Sequence, residues 1–212
     1  MSNSGSHPQT DDITRSIEWP LWVLPALLFI LPTSTVLISY WLSQSHGLVP
    51  ECFPLVHGCT SVSAAGRYPP ASFLFRAGII PGAVLLMIYW LLIRAWLQSL
   101  SPKYHRSQNW LLITGMTGAV FLIVYAVFLG SKGDFYAFMR RTGIVVYFAM
   151  TFFAQLLQTR VLLRLSQTTH PELFRLSQWK LRICTLLFVL GVGSIPIMNF
   201  IDNKDQLQNV LE

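Results

Sequence analysis

The sequence predicts an all-α fold, a polytopic bundle of transmembrane helices, and three observations carry that prediction. Charged residues make up only 11% of the 212 residues, against about 25% in an ordinary soluble domain. Hydrophobic residues make up 53%, and the mean hydropathy is +0.51. Five apolar runs, at 21–42, 72–97, 110–129, 142–163 and 181–201, each reach the roughly 20 residues a helix needs to cross a hydrocarbon core. Short connections join them. The expected organisation is a polar tail over 1–18, a transmembrane helical domain over 19–201 and a polar tail over 202–212, with no room for a soluble domain.

The amino-terminal tail is polar, carries Asp11, Asp12 and Glu18, and is expected to be disordered. The first run is long for the apolar part of a signal peptide and closes on no small-x-small cleavage site, so it reads as a retained helix. Trp19 suits the interface, and Pro20 suits a helix start, where its missing N–H is harmless. Pro25 and Pro32 lie inside the run, and Tyr40 and Trp41 form the belt at its far end. Cytoplasmic loops carry the excess of Lys and Arg. The amino terminus, the second connection and the fourth collect Arg15, Arg94, Lys103, Arg106, Arg160, Arg164, Arg175, Lys180 and Arg182, nine cations against six on the other side. That bias predicts a cytoplasmic amino terminus and an extracytoplasmic 43–71 loop. It also accounts for the net charge of +6 without nucleic acid as a partner.

The 43–71 loop is the longest connection. Cys52 and Cys59 lie seven residues apart in it; in an oxidising compartment they either close a disulfide or remain two loop thiols. Pro69 and Pro70 cannot sit inside a helix but can start one, so span two begins there, with Arg76 one to two turns inside. Gly78 and Gly82, four apart, let two backbones approach closely; a lipid-facing kink at Pro81 is the alternative. Tyr89, Trp90 and Arg94 mark the inner boundary. Asn109 and Trp110 open span three, where Gly115 and Ala119 suit close packing. Residues 130–141 read as a second outer loop with Lys132, Asp134, Arg140 and Arg141. Span four carries Gln155, an amide that needs a partner from another helix. Span five holds Cys184 as a small packed residue, and Gly191, Gly193, Ser194 and Pro196 predict irregularity near its outer end.

Little catalytic chemistry is visible. There is no P-loop, no Gly-x-Ser-x-Gly elbow and no His-Glu-x-x-His. No Asp or Glu lies inside a run, which argues against a carboxylate proton relay. His46, His57, Glu51 and Asp134 have no diagnostic spacing, and no metal or other cofactor is expected. Ser61 and Ser63 have no assigned base. The small tract from Ser63 to Gly66 reads as a tight turn. Ser61, Ser63, Gly66, Arg67 and Arg76 are the candidate contacts to an anion, most naturally a lipid phosphate at headgroup level. The alternative is that Gly66 simply turns the chain and both arginines snorkel into the interface.

The stretch 61–76 resembles the Frag/DRAM/Sfk membrane family, whose first outer loop leads into span two through a (Ile/Val)-Ser-x-x-Gly-x-x-Pro-(Pro/Glu)-x-x-x-Phe pattern. Val62, Ser63, Gly66, Pro69, Pro70 and Phe73 or Phe75 match it, and Asn109 fits the asparagine that opens span three. That family includes autophagy modulators, a GPI-anchor lipid remodelling factor and the amino-terminal part of Cwh-type proteins. The resemblance implies a sixth span after Glu212 and a function in binding or remodelling membrane lipid, with headgroup or glycolipid-anchor recognition by the first outer loop. Arg140 and Arg141 stand where the family usually has an acidic or histidine residue, so no chemistry is carried over there. Two other readings compete. One is a non-catalytic scaffold that binds a membrane-protein partner through Gly78, Gly82, Gly115 and Ala119. The other is a remodelling enzyme, which needs a polar cluster facing a cavity.

Overall fold

A peptide group in hydrocarbon has no water to bond, so an apolar run must satisfy its own backbone and does so as a helix. The computed structural model describes residues 22–50, 60–168 and 170–200. Their elements are α1 (Val23–Ser45), the one-turn α2 (Val62–Ala65), α3 (Ala71–Leu100), α4 (His105–Phe128), α5 (Asp134–Thr168) and α6 (Phe174–Phe200). Short 3₁₀ turns at Pro102–Tyr104 and Pro171–Leu173 connect α3 to α4 and α5 to α6. Trp19 and Pro20, the 51–59 segment with Cys52, His57 and Cys59, and the 202–212 tail lie outside the described residues, and so does the disulfide expectation.

Among the described residues, four helices are long and apolar enough to cross a membrane: α1, α3, α4 and α5. The predicted count of five is not reached, because the run at 181–201 falls on α6 and ends outside those residues. The backbone of α6 is helical through Gly191, Gly193, Ser194 and Pro196, where irregularity was expected. A second correction concerns the loop expected over 130–141. The α4–α5 turn ends at Gly133, and α5 begins at Asp134. Gly130 and Gly133 take φ of +88° and +121°, values that only glycine adopts cheaply, so the chain reverses within a few residues. Asp134 then sits in the first turn of α5, where a carboxylate favours the positive end of the helix. As a result Arg140 and Arg141 belong to a helix.

The helices pack in sequence order: α1 on α3, α3 on α4, α4 on α5 and α5 on α6. Apolar side chains give no net drive in lipid, so contact depends on close backbone approach and polar links. At Gly78 of α3, an added methyl would run into the Thr35 side chain of α1. Thr35 belongs to a buried stripe, Thr35, Ser39 and Ser43, spaced four apart, and Ser43 Oγ donates to the Ala65 carbonyl at 2.7 Å. At Gly115 of α4, an added Cβ would stand 2.5 Å from the Trp90 ring. Trp90, expected at the interface, is instead fully buried with Leu97, Leu111 and Leu162, because Gly115 opens the slot its ring fills. At Gly118, an added Cβ would stand 2.8 Å from Thr151 Oγ1 of α5. A second core, nearer the long loop, gathers Phe75, Ile79, Tyr125, Ala126 and Leu129. Lys180 of α6 donates to Gln155 Oε1 at 2.9 Å and to Gln158 Oε1 at 2.7 Å, a polar pin between α5 and α6. The small-residue faces at Gly78, Gly82, Gly115 and Ala119 are all buried among the chain's own helices.

The two glycines of α3 should respond differently. Gly78→Ala is expected to lower stability by about 1–3 kcal/mol, the usual cost of overpacking. Gly82→Ala should be near neutral, since the nearest atom to its added methyl is 3.9 Å away. Thermal unfolding of the detergent-purified variants checks this; equal midpoints would contradict the α1–α3 contact described.

Candidate functional site

The site begins with the turn that follows the long loop. Ser61 Oγ accepts from the Ala64 N–H at 3.2 Å and caps α2. The N–H groups of Ala64, Ala65, Gly66 and Arg67 bond to backbone carbonyls within the turn, at 3.0–3.3 Å. These four amides are spent within the turn. Gly66 rests on the Phe75 ring, and an added Cβ would stand 2.5 Å from it. Ser61 and Ser63 share a hydrogen bond at 2.9 Å. The Arg67 carbonyl lies directly against Gly130, in the space a Cβ would occupy. Arg76 Nη2 donates to the Leu129 carbonyl and so caps the end of α4.

These contacts bring the Ser61–Arg67 turn beside the first turns of α5, and a pocket of about 590 Å³ lies beneath them. Its polar end carries Ser63, Arg67, Arg140 and Arg141. Its depth is apolar, with Val36, Ile79, Leu86, Leu122 and Phe148 among the walls. From Phe75 to Leu86 the wall follows α3 for roughly 16 Å at about 1.5 Å per residue, about half of a hydrocarbon core of roughly 30 Å. None of the three arginines forms an ion pair among the described residues. The Nε of Arg67 is buried without a hydrogen-bond partner. Among the described residues, no carboxylate and no histidine lines the pocket. Chemically the arrangement can hold an anion at one end and a hydrocarbon chain along the other.

The model of the Frag1/DRAM/Sfk1/Cwh43P N-terminal domain matches residues 20–210. The chain belongs to this family. No curated protein and no solved structure matches it. In this Frag1/DRAM-family chain, the matched residues include every described helix and the whole pocket.

Of the residues singled out from the sequence, Ser63 and Arg67 line the pocket, Ser61 and Gly66 shape the turn, and Arg76 is engaged with Leu129 outside the lining. Cys52 and Cys59 lie outside the described residues. Sequence reasoning misses Arg140 and Arg141, because the fourth apolar run begins only at 142, and Tyr147 inside that run carries no signal of its own. Asp134 after Gly133 was a usable helix-start signal. The series Arg140, Ile144, Tyr147 and Phe148 then has the spacing of one helix face.

Gly130→Ala tests the clamp on which this geometry rests. The variant combines a left-handed φ with a clash on the Arg67 carbonyl, and is expected to lose about 1–2 kcal/mol or more of stability. Gly47→Ala, at φ +64° with no atom near its added methyl, reports the backbone cost alone. A thermal unfolding comparison in which Gly47→Ala is hit as hard as Gly130→Ala would remove the clamp from the account.

Proposed function

We propose that this chain is a lipid-binding membrane protein whose pocket holds one anionic lipid. Its headgroup is met by Arg67, Arg140, Arg141 and Ser63, and one hydrocarbon chain runs along α3 and α4. The observation that carries the reading is the set of three arginines over an apolar trough with no acidic partner among the described residues. Uncompensated cations at membrane depth are costly and commonly mark a ligand path. A guanidinium suits a phosphate because its planar fork offers paired donors. The excess of cations in the other connections favours an extracytoplasmic position for this pocket.

Binding is better supported than bond-breaking. The hydroxyl of Ser63 is held to Ser61, and no described lining residue has the chemistry of a general base for it. The scaffold reading gains nothing from Gly78 and Gly115, which are occupied within the chain, or from Gly82, which faces the pocket. Recognition of a glycolipid anchor is one form the anionic ligand can take in a family that includes Cwh43P.

Native mass spectrometry of lipids co-purified with the protein tests the reading. Arg67→Ala/Arg140→Ala/Arg141→Ala is expected to lose bound anionic lipid by at least about tenfold, since a hydrogen bond to a charged group contributes roughly 1.5–3 kcal/mol. Arg76→Ala should lower thermal stability through the lost cap, and should weaken lipid retention less than the triple variant does, because the three pocket arginines remain. Identical lipid loads in the triple variant and the wild type would refute the pocket as the binding site.

A further inference from the structure

We infer that the lipid reaches this pocket sideways, through the gap between α1 and α5, from the leaflet on the long-loop side only. The inference rests on the lipid-binding reading of the pocket and adds the route. Both helices line the pocket, α1 through Leu28, Pro32 and Val36, and α5 through Ile144, Tyr147 and Phe148. Yet α1 packs on α2 and α3, and α5 packs on α4 and α6, with no packed interface between α1 and α5. The two walls therefore face each other across a slot that no described residue fills. Phe148 lines the pocket and is still 61% exposed, so its ring stands at the edge, between the pocket and the surrounding lipid. The slot is walled by hydrocarbon at the depth of the membrane, so an acyl chain can wet it and a soluble anion cannot.

Two other directions are obstructed by described residues. Below Leu86 and Phe148, the next turns of α3, α4 and α5 close on one another. Trp90, with no exposed surface, fills the space at Gly115, and Thr151 meets Gly118. There is no room at either glycine for a methyl group, still less for a lipid chain. At the polar end, the Ser61–Arg67 turn crosses to the α4–α5 turn, where the Arg67 carbonyl touches Gly130. A lipid can slide in along the membrane plane with its headgroup staying at the level of Arg140 and Arg141. It does not cross to the opposite leaflet by this path. The occupant that fits is a membrane phospholipid with an anionic headgroup, loaded and released within one leaflet.

The test uses the full chain in phosphatidylcholine vesicles, with its orientation scored by protease cleavage of the long loop. Phosphatidylglycerol with a photoreactive group on its acyl chain is delivered to one leaflet at a time. Labelling of α3 around Phe75–Leu86 is expected only from the long-loop side. Val36→Trp/Phe148→Trp, which fills the slot, should slow labelling by about tenfold, and Phe148→Ala, which widens it, should speed labelling. Val145→Trp, on an exposed position outside the lining, should leave it unchanged. Equal labelling from both leaflets overturns the one-sided route. Unchanged rates in both the filled and the widened variants overturn the α1–α5 doorway, even where labelling still depends on Arg67, Arg140 and Arg141. Labelling that does not depend on those arginines overturns the pocket itself. Because Phe148→Ala only removes atoms at an exposed edge, it keeps the test decisive if the double tryptophan variant does not fold.

Discussion

Two contacts at the long-loop end hold the rest in place: the Arg76 guanidinium on the Leu129 carbonyl, and the Arg67 carbonyl on Gly130. Arg76 and Leu129 are 53 residues apart in sequence. Their bond fixes the start of α3 against the end of α4, and thereby fixes where α5 can begin. A charged donor on a carbonyl at a helix end is among the stronger polar links available in a membrane. Without it, the carbonyl of Leu129 would face a poorly hydrated surface with its helical donor absent. The cationic end of the pocket is a consequence of this junction, since it is what sets Arg67 opposite Arg140 and Arg141.

The pocket exists because the bundle is tight in one half and slack in the other. Toward the far end, Gly115 admits the Trp90 ring and Gly118 admits Thr151, so α3, α4 and α5 are in close contact. Toward the long loop, α1 leans on α3 through Thr35, Ser39 and Ser43 and leaves α5 without a partner on that side among the described residues. Small residues thus have two opposite effects here. Where a large side chain enters the slot they leave, they close the bundle. Where they draw α1 down onto α3, they leave an opening beside it. The charges follow the same division. Lys180 at the far end is matched by two amide carbonyls, whereas the three arginines of the pocket have no anion beside them among the described residues.

Much of the candidate site was legible before the fold was known. Val62, Ser63, Gly66, Pro69 and Pro70 marked a turn leading into a helix, and Ser63 and Arg67 do line the pocket. What misled was the treatment of charge as a loop signal. Arg140 and Arg141 read as part of a connection because they interrupt hydropathy, although α5 continues beyond the apolar run at both ends. The hydroxyl stripe on α1 was passed over for a related reason: Thr35, Ser39 and Ser43 lower hydropathy without breaking the helix, and their spacing of four has meaning only once α3 lies against it.

The sequence by itself determined the helical class, the membrane setting and the family, because the length and purity of apolar runs leave a backbone no other way to satisfy its hydrogen bonds in lipid. It also placed the turn at Gly66 and the start of α3 after Pro70, since both are local consequences of backbone sterics. Only the tertiary structure decided which side chains share a pocket. Arg67 and Arg140 are brought together by a glycine turn, a capped helix end and the approach of α3 to α4. No window of sequence holds all of these, because each is a contact between residues distant along the chain.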